Sequence, residues 1–392
     1  MRLHRTDGMP HDVWVLSLVA FLVAVGFGVV VPVLPVFARS FHASQFQVGA
    51  VVAAFALMRF VTSPFCGRIT NAIGERWTLG LGIGIVAASS AATGAAQNYW
   101  QMLVVRGLGG IGSAMFSVSA MILLLAAVDS QHRGRASALF SGGFLLGGMA
   151  GPAIGGVLAM ISIRAPFFFY TFTLVVSGIV AMTLLRIRPV HDHSPGETAE
   201  ATSMAHAWSQ ARYRVASFVN FTAGWQAQGA RSTLVPLLVV EVLQHDTTAA
   251  GTAFAIAAVA QTVALQPMGH LVDTVGRRPV LVTGLGLCGV SSVFIPFAPS
   301  IVALTALLCV FGVGAAALST APTAILGDVA SGGTPVAAFQ MATDSGSIIG
   351  PLAVGWMADA WSLAVAFWLG AVLMAVVAVT ALLTHLERHD DS

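Results

Sequence analysis

The sequence predicts an all-α membrane protein with twelve transmembrane helices in two pseudo-symmetric six-helix bundles. Of its 392 residues, 57% are hydrophobic and only 9% are charged, whereas soluble domains carry roughly 25% charged residues. Apolar runs recur along the whole chain, each about 20 residues long, which is the length that a helix needs to cross a hydrocarbon core of about 30 Å. Glycine and proline patterns of the first half also recur in the second half.

The apolar runs are continuous, which favours helices over the alternating strands of a membrane β-barrel. The first run is too long for a signal peptide, and no clean cleavage site follows it, so we expect it to be retained. The twelve predicted spans lie near residues 13–35, 45–66, 77–96, 101–125, 137–160, 166–185, 215–240, 250–271, 280–298, 301–326, 336–357 and 362–384.

The basic residues predict the orientation of these spans. All 18 are arginine, and this composition, rich also in alanine, favours a GC-rich bacterium; we predict a location in the bacterial cytoplasmic membrane. With both termini in the cytoplasm, only Arg39 and Arg164 fall outside and three arginines fall within spans, as the positive-inside rule requires. The cytoplasmic set is Arg2, Arg5, Arg68, Arg76, Arg133, Arg135, Arg186, Arg188, Arg212, Arg214, Arg277, Arg278 and Arg388. Because these charges serve topology, the net charge of +2 does not indicate nucleic-acid binding.

An internal repeat divides the chain into two halves. Equivalent residues are separated by 199 to 202 positions: Gly67 and Gly269, Gly74 and Gly276, Gly112 and Gly314, Pro35 and Pro236, Gly151 and Gly350. Such repeats are typical of transporters that alternate access around a central site. We expect an N-terminal bundle at 1–186, a cytoplasmic linker at 187–213 and a C-terminal bundle at 214–392.

A glycine-rich pattern follows the second and the eighth span. The first copy holds Gly67, Asn71, Gly74 and Arg76; the second holds Gly269, Asp273, Gly276, Arg277 and Arg278. Both copies resemble the signature loop of the major facilitator superfamily, which in that family latches the halves together on the cytoplasmic side. We expect close backbone approach at the first glycine of each copy and positive φ at the second. Asn71 stands where the family has an acid, so the resemblance implies a weaker latch and a more readily populated inward-open state.

The fifth span carries Gly147, Gly151, Pro152, Gly155 and Gly156. This pattern resembles the antiporter motif of the drug/proton antiporters in that superfamily, in the twelve-helix branch. Glycines at every fourth position form a smooth groove on one helix face, against which a neighbouring helix packs closely. An ordinary small-residue packing face is the alternative interpretation.

Arg106, in the fourth span, stands in a glycine-rich segment that is similar to the family motif linked to proton transfer. An arginine in a lipid environment costs at least about 2.5 kcal/mol on insertion scales, so it must face protein or water and find a partner. The alternative is a structural arginine bonded to carbonyls of the first helix.

Asp344 is the one carboxylate clearly within a predicted span, and such groups are usually functional. Arg59 lies eight residues before Gly67, about 12 Å into the second span at 1.5 Å per residue. The resemblance makes the second and eleventh spans neighbours. We therefore predict an Arg59–Asp344 ion pair that breaks on protonation, or, alternatively, a permanent structural pair.

The substrate site is predicted from the polar seventh span. In the family, the first, fourth, seventh and tenth helices line the central cavity. The predicted wall residues are Asn220, Trp225, Gln226, Gln228 and Arg231, with Met115 and Phe116 of the fourth span. Aromatic rings suit apolar or cationic ligands, whereas Arg231 and the amides suit an anionic or hydroxylated one.

No nucleophile with a base, phosphate loop or metal-ligand cluster is apparent in the sequence, so we do not expect an enzyme or a bound cofactor. The sequence predicts a monomer in the lipid bilayer that exports small, largely apolar molecules at the expense of the proton gradient. A transporter of a polar metabolite or sugar is the first alternative. A membrane sensor or assembly factor that does not transport is the second.

Overall fold

The structure is a computed structural model that describes residues 9–129, 132–185, 204–329 and 333–384. Every regular element within these ranges is helical. The first half contains α1 His11–Val30, α2 Leu34–Arg39, α3 Gln45–Ile73, α4 Glu75–Ala95, α5 Tyr99–Ala126, α6 Arg133–Ile161 and α7 Ala165–Leu184. The second half contains α8 Met204–Ser209, α9 Ala211–Gly224, α10 Val235–Leu237, α11 Thr247–Thr274, α12 Arg277–Phe294, α13 Ile301–Val329, α14 Gly333–Ala360 and α15 Leu363–Leu383.

Twelve segments cross from one end of the molecule to the other, which confirms the predicted all-α fold. Ten described helices are long and apolar enough to span a membrane. The eleventh crossing is the more polar α14. The seventh combines α9 and α10 with the π-helical segments Trp225–Leu234 and Leu238–Val242. The predicted first span is divided into α1 and α2 by a turn around Pro32, because proline removes the amide that would continue the helix.

The two halves repeat the same packing. In the first half α1 packs on α6, α3 on α5, and α4 on α5 and α7; in the second, α9 with its π-helical continuation packs on α14, α11 on α13, and α12 on α13 and α15. Backbone geometry follows the repeat as well. His42 and Gln244, 202 positions apart, have positive φ angles of 58° and 56°. The expected positive φ of the loop glycines is also present, at 84° for Gly74 and 106° for Gly276.

The halves touch each other mainly along two helix pairs, α3 with α14 and α6 with α11. Most of the hydrogen bonds across this interface lie at one end of the molecule, beside the loop after α2 and the loop before α11. We call this the closed end. At the opposite end, where the loops after α3 and α11 lie, a Cβ added at Gly67 or Gly269 would meet nothing within 4 Å, and we call that end the open end.

Part of the predicted linker and several predicted cytoplasmic charges lie outside the described residues. These are residues 187–203 of the linker and Arg2, Arg5, Arg186, Arg188 and Arg388. The later part of the linker is helical, in α8 and the start of α9. Exposed Val263, Val302 and Leu383 (70%, 75% and 83%) are typical of the apolar outer surface of a membrane helix bundle.

Candidate functional site

A cavity of about 440 Å³ lies between the halves, within the range of small-molecule sites. Its wall combines aromatic rings, small residues and arginines. Side chains of α1, α3, α5, α6, α7, α11, α14 and the π-helical Trp225–Leu234 segment line it. The expectation that the tenth span lines the cavity is wrong for this structure, since none of the lining residues belongs to α13.

Three of the seven predicted wall residues, Phe116, Gln228 and Arg231, line the cavity. The other four lie elsewhere. Asn220 donates to the Phe339 carbonyl of α14 over 3.2 Å, and Gln226 donates to Ser292 Oγ over 3.4 Å. Trp225 is buried in the core of the second half, and Met115 packs in a small cluster with Cys66 and Ala114.

Helix geometry explains three of these four corrections. The wall positions of this segment are Ala227, Gln228, Arg231 and Ser232, which share one helix face, as residues three and four positions apart do. That spacing turns Trp225 and Gln226 into the second half. Met115 and Phe116 are adjacent on an α-helix and point about 100° apart, so a helix whose wall face includes Phe116 directs Met115 away.

Arg106 is buried on the cavity wall and is 5% exposed. Its guanidinium carbon lies 4.4 Å from the ring centroid of Phe55 and 6.0 Å from that of Phe27. Within the described part of the chain it forms no hydrogen bond or ion pair, and its Nε is buried without a partner. The alternative of bonds to first-helix carbonyls is therefore not what the structure shows; the side chain is held by cation–π contacts.

Arg59 of α3 and Asp344 of α14 form the predicted ion pair, through Nη2 and Oδ1. The carboxylate side chain is 17% exposed and the guanidinium side chain 35%. Arg59 belongs to the cavity wall, as does Ser347, one turn further along α14 from Asp344. The pair thus joins the halves directly beside the cavity.

The glycines of α6 form the expected groove, and α1 occupies it. An added Cβ at Gly147 would come within 2.5 Å of the Phe21 carbonyl oxygen, and one at Gly151 within 2.6 Å of Gly28 Cα. A Cβ at Gly155 would collide with the Val29 backbone. Gly156 instead faces the other half, where its carbonyl accepts from Thr248 Oγ1 over 3.0 Å. Pro152, inside the continuous helix α6, lines the cavity.

The two signature loops lie at the open end and do not touch each other. A Cβ added at Gly67 or Gly269 would meet nothing within 4 Å. The expected close approach at these glycines is therefore absent in this structure. The basic residues act within their own halves: Arg76 donates to the Met182 carbonyl, and Arg277 Nε lies 2.6 Å from Asp328 Oδ2.

Sequence reasoning missed a polar cluster at the closed end. Arg39 Nε lies 2.6 Å from Glu241 Oε1. The Asp359 carboxylate accepts from the first two amides of α3, Gln45 N and Phe46 N, over 2.8 Å each. We call Arg39, Glu241, Gln45 and Asp359 the closed-end cluster. The available signal was that Arg39 and Glu241, 202 positions apart, carry opposite charges at equivalent positions of the repeat.

The model of the Major Facilitator Superfamily matches residues 16–248 and 216–392 of the chain. The chain belongs to this superfamily. Membership makes it a membrane transporter and not an enzyme, in agreement with the sequence-based prediction.

Solved structures confirm the major facilitator fold. A bacterial homolog of the human lysosomal transporter Spinster, in an inward-facing and unoccupied conformation, superposes with a TM-score of 0.79 at 16% identity over 96% of both chains. A mutant of the nucleoside transporter NupG superposes with a TM-score of 0.73 at 13% identity, over 95% of this chain and 99% of that one. At these identities the likeness concerns the fold alone.

Curated relatives include a bacterial and a human protein. The quinolone resistance protein NorA of Staphylococcus aureus (strain MRSA252) is 30% identical over 196 residues, which are 49% of this chain and 48% of NorA. The human synaptic vesicular amine transporter is 28% identical over 324 residues, 80% of this chain and 62% of that protein. The match therefore spans about half the length of NorA.

Proposed function

We propose that this transporter exports small, largely apolar molecules in exchange for protons, by alternating access. The observation that carries the proposal is the Arg59–Asp344 pair, which joins the halves beside the cavity. A carboxylate that titrates at this place can link proton binding to the relative position of the halves.

The coupling step follows from the charges around Asp344. Protonation removes its negative charge, so the attraction between α3 and α14 is lost and the halves are free to move. The charged group that contacts it is Arg59, on α3. The described part of α15, which also packs on α14, carries no titratable side chain.

The predicted orientation places the open end in the cytoplasm of a bacterial cell, so the described state is inward-open. The relatives support the choice of an exporter, because NorA is a quinolone resistance protein. The lipid bilayer and a small-molecule substrate are the partners, and we propose a monomer.

The alternative of a polar-metabolite or sugar transporter rested on the polar seventh span. Its support weakens, because Asn220 and Gln226 bond within the second half and do not face the cavity. The alternative of a sensor that does not transport rested on Asn71. The cavity and the ion pair favour transport over that interpretation.

Proton release from reconstituted vesicles tests the proposal. The full chain is placed in liposomes that contain a pH-sensitive dye and an acidic lumen, and a panel of apolar compounds is added. We expect substrates to raise the luminal pH, and expect Asp344→Asn to abolish this response. Ser345→Ala, at the next position of α14, is the matched control and should respond like the wild type. A panel that produces no proton flux with the wild type would contradict proton-coupled export.

A further inference from the structure

Two arginine–phenylalanine stacks face the cavity, one from each half. Arg106 stacks on Phe55 at 4.4 Å and Arg231 on Phe254 at 5.5 Å, measured from guanidinium carbon to ring centroid. The phenylalanines lie on α3 and α11, which are equivalent helices of the repeat, but they are 199 positions apart and therefore not at equivalent positions, since the offset in these helices is 202. The arginines come from non-equivalent helices, the fourth and the seventh spans. Each half therefore contributes one cation to the cavity wall, but the two cations come from helices that the repeat does not relate.

The charges of the cavity wall do not balance. Three arginines line it, and no carboxylate is among the described lining residues. Arg59 is neutralised by Asp344. Arg106 has no ion-pair partner in the described chain, and Arg231 has only a 3.4 Å hydrogen bond to Gln261 Oε1. Two positive charges on the wall thus remain without a counter-charge.

Unpaired cations at membrane depth are costly and mark binding sites or ion pathways. A guanidinium stacked on a ring keeps its planar N–H donors free in the plane, the geometry that receives a carboxylate in two parallel hydrogen bonds. The contact with Phe55 therefore holds Arg106 without using its N–H donors, and Arg231 uses only an Nη1 donor, to Gln261 Oε1. A cationic ligand, in contrast, would meet two like charges, and the faces of Phe55 and Phe254 are already covered.

The rest of the wall is apolar and aromatic. Phe27, Phe116, Phe144 and Tyr170 line the cavity with the two stacked phenylalanines. Rings of this kind bind a flat aromatic group by edge-to-face or offset contacts. The wall therefore suits a ligand with one apolar aromatic part and one anionic part.

We propose that the substrate is an amphipathic aromatic anion, whose carboxylate or sulfonate binds Arg106 and Arg231. This inference rests on the proposed function, because it assigns the substrate class of the same cavity. It departs from an aromatic site for cationic drugs, which the aromatic residues alone would favour.

The inference is tested by calorimetric titration of the purified full chain with three probes. The probes share the same aromatic ring system and differ in charge. The probes are naphthoate, naphthylmethanol and naphthylmethylammonium. We expect naphthoate to bind at least about tenfold more tightly than the other two, the effect of one charged hydrogen-bonded group. Arg106→Gln and Arg231→Gln should each reduce naphthoate affinity by about tenfold and leave naphthylmethanol affinity unchanged, which also reports that the cavity is intact.

Two further variants sharpen the test. Arg106→Lys keeps the charge and should retain part of the preference for naphthoate. Arg68→Gln removes an exposed arginine outside the cavity wall and should change nothing. Equal binding of the three probes, tighter binding of the ammonium probe, or no binding of naphthoate would overturn the inference.

The test separates this inference from the proposed function. Selective naphthoate binding without proton flux in vesicles would sustain the anion site and contradict proton-coupled transport. Proton-coupled transport of neutral or cationic compounds, without a naphthoate preference, would sustain the proposed function and contradict the anion site.

Discussion

Arg39 and Glu241 form an ion pair across the halves although they occupy equivalent positions of the internal repeat, 202 residues apart, with an Nε to Oε1 distance of 2.6 Å. Two equivalent positions of the repeat, which meet across the interface between the halves, thus carry opposite charges. Both side chains are 36% exposed, and pairs of that kind contribute at most about 1 kcal/mol.

Asp359 should hold the closed end more strongly than Glu241. It accepts from two N-terminal amides of α3, and loss of a helix cap costs about 0.5–2 kcal/mol. We expect Asp359→Ala to open this end more than Glu241→Gln does. Spin labels at Ser162→Cys and Trp361→Cys, in exposed closed-end positions of the two halves, would report longer distances. Equal distances in wild type and Asp359→Ala would contradict the role of this cap.

Gly151→Ala should destabilise the first half. Its Cβ would approach Gly28 Cα to 2.6 Å, and overpacking of this kind costs about 1–3 kcal/mol. Gly148→Ala is the matched control on the same helix, since a Cβ there meets nothing within 4 Å. Thermal unfolding should show a lower midpoint for Gly151→Ala only. Similar midpoints for the two variants would argue against tight α1–α6 packing.

Glu75→Arg should stabilise the open end of the first half. Glu75 and Asp129 are the repeat equivalents of Arg277 and Asp328, which pair in the second half at 2.6 Å. The first half thus has two acids where the second has an ion pair. A new pair with exposed Asp129 should contribute up to about 1 kcal/mol and raise the unfolding midpoint, but not in a Glu75→Arg, Asp129→Asn double variant. An equal gain in that double variant would exclude the pair as the cause.

Asn71→Asp should shift the molecule towards the outward-open state. It restores the acid that the superfamily loop has at this position, and the halves are separated there in the described structure. Spin labels at Ile73→Cys and Val275→Cys, exposed residues beside the two loops, should move closer together. Asn71→Ser lacks the charge and serves as the control. An unchanged distance in Asn71→Asp would refute the expected latch.

The fold was predictable because the hydropathy pattern indicates the membrane spans and the internal repeat indicates the two halves. A helix in lipid must satisfy its own backbone, so apolar runs of sufficient length specify the spans. The Arg59–Asp344 pair was also within reach. Charged residues at membrane depth need partners of opposite charge, and the predicted spans contain few charged residues.

The cavity wall was less predictable, because it depends on helix rotation. Only one face of the polar segment Trp225–Leu234 borders the cavity, and the polar character of the whole segment does not indicate which face that is. Phe55 and Phe254 were missed because phenylalanine is common in membrane helices and the repeat does not align these two residues. Their role becomes visible only through the arginines stacked on them.

The central claim is that the protonation of Asp344 controls how the halves move. Distances between labels at Ile73→Cys and Val275→Cys, measured across a range of pH with Cys66, Cys288 and Cys309 replaced by alanine, test it most directly. The account predicts that the wild-type distance distribution changes as the pH falls, and that Asp344→Asn shows the low-pH distribution at every pH. An Asp344→Asn variant that keeps the wild-type pH dependence would contradict it.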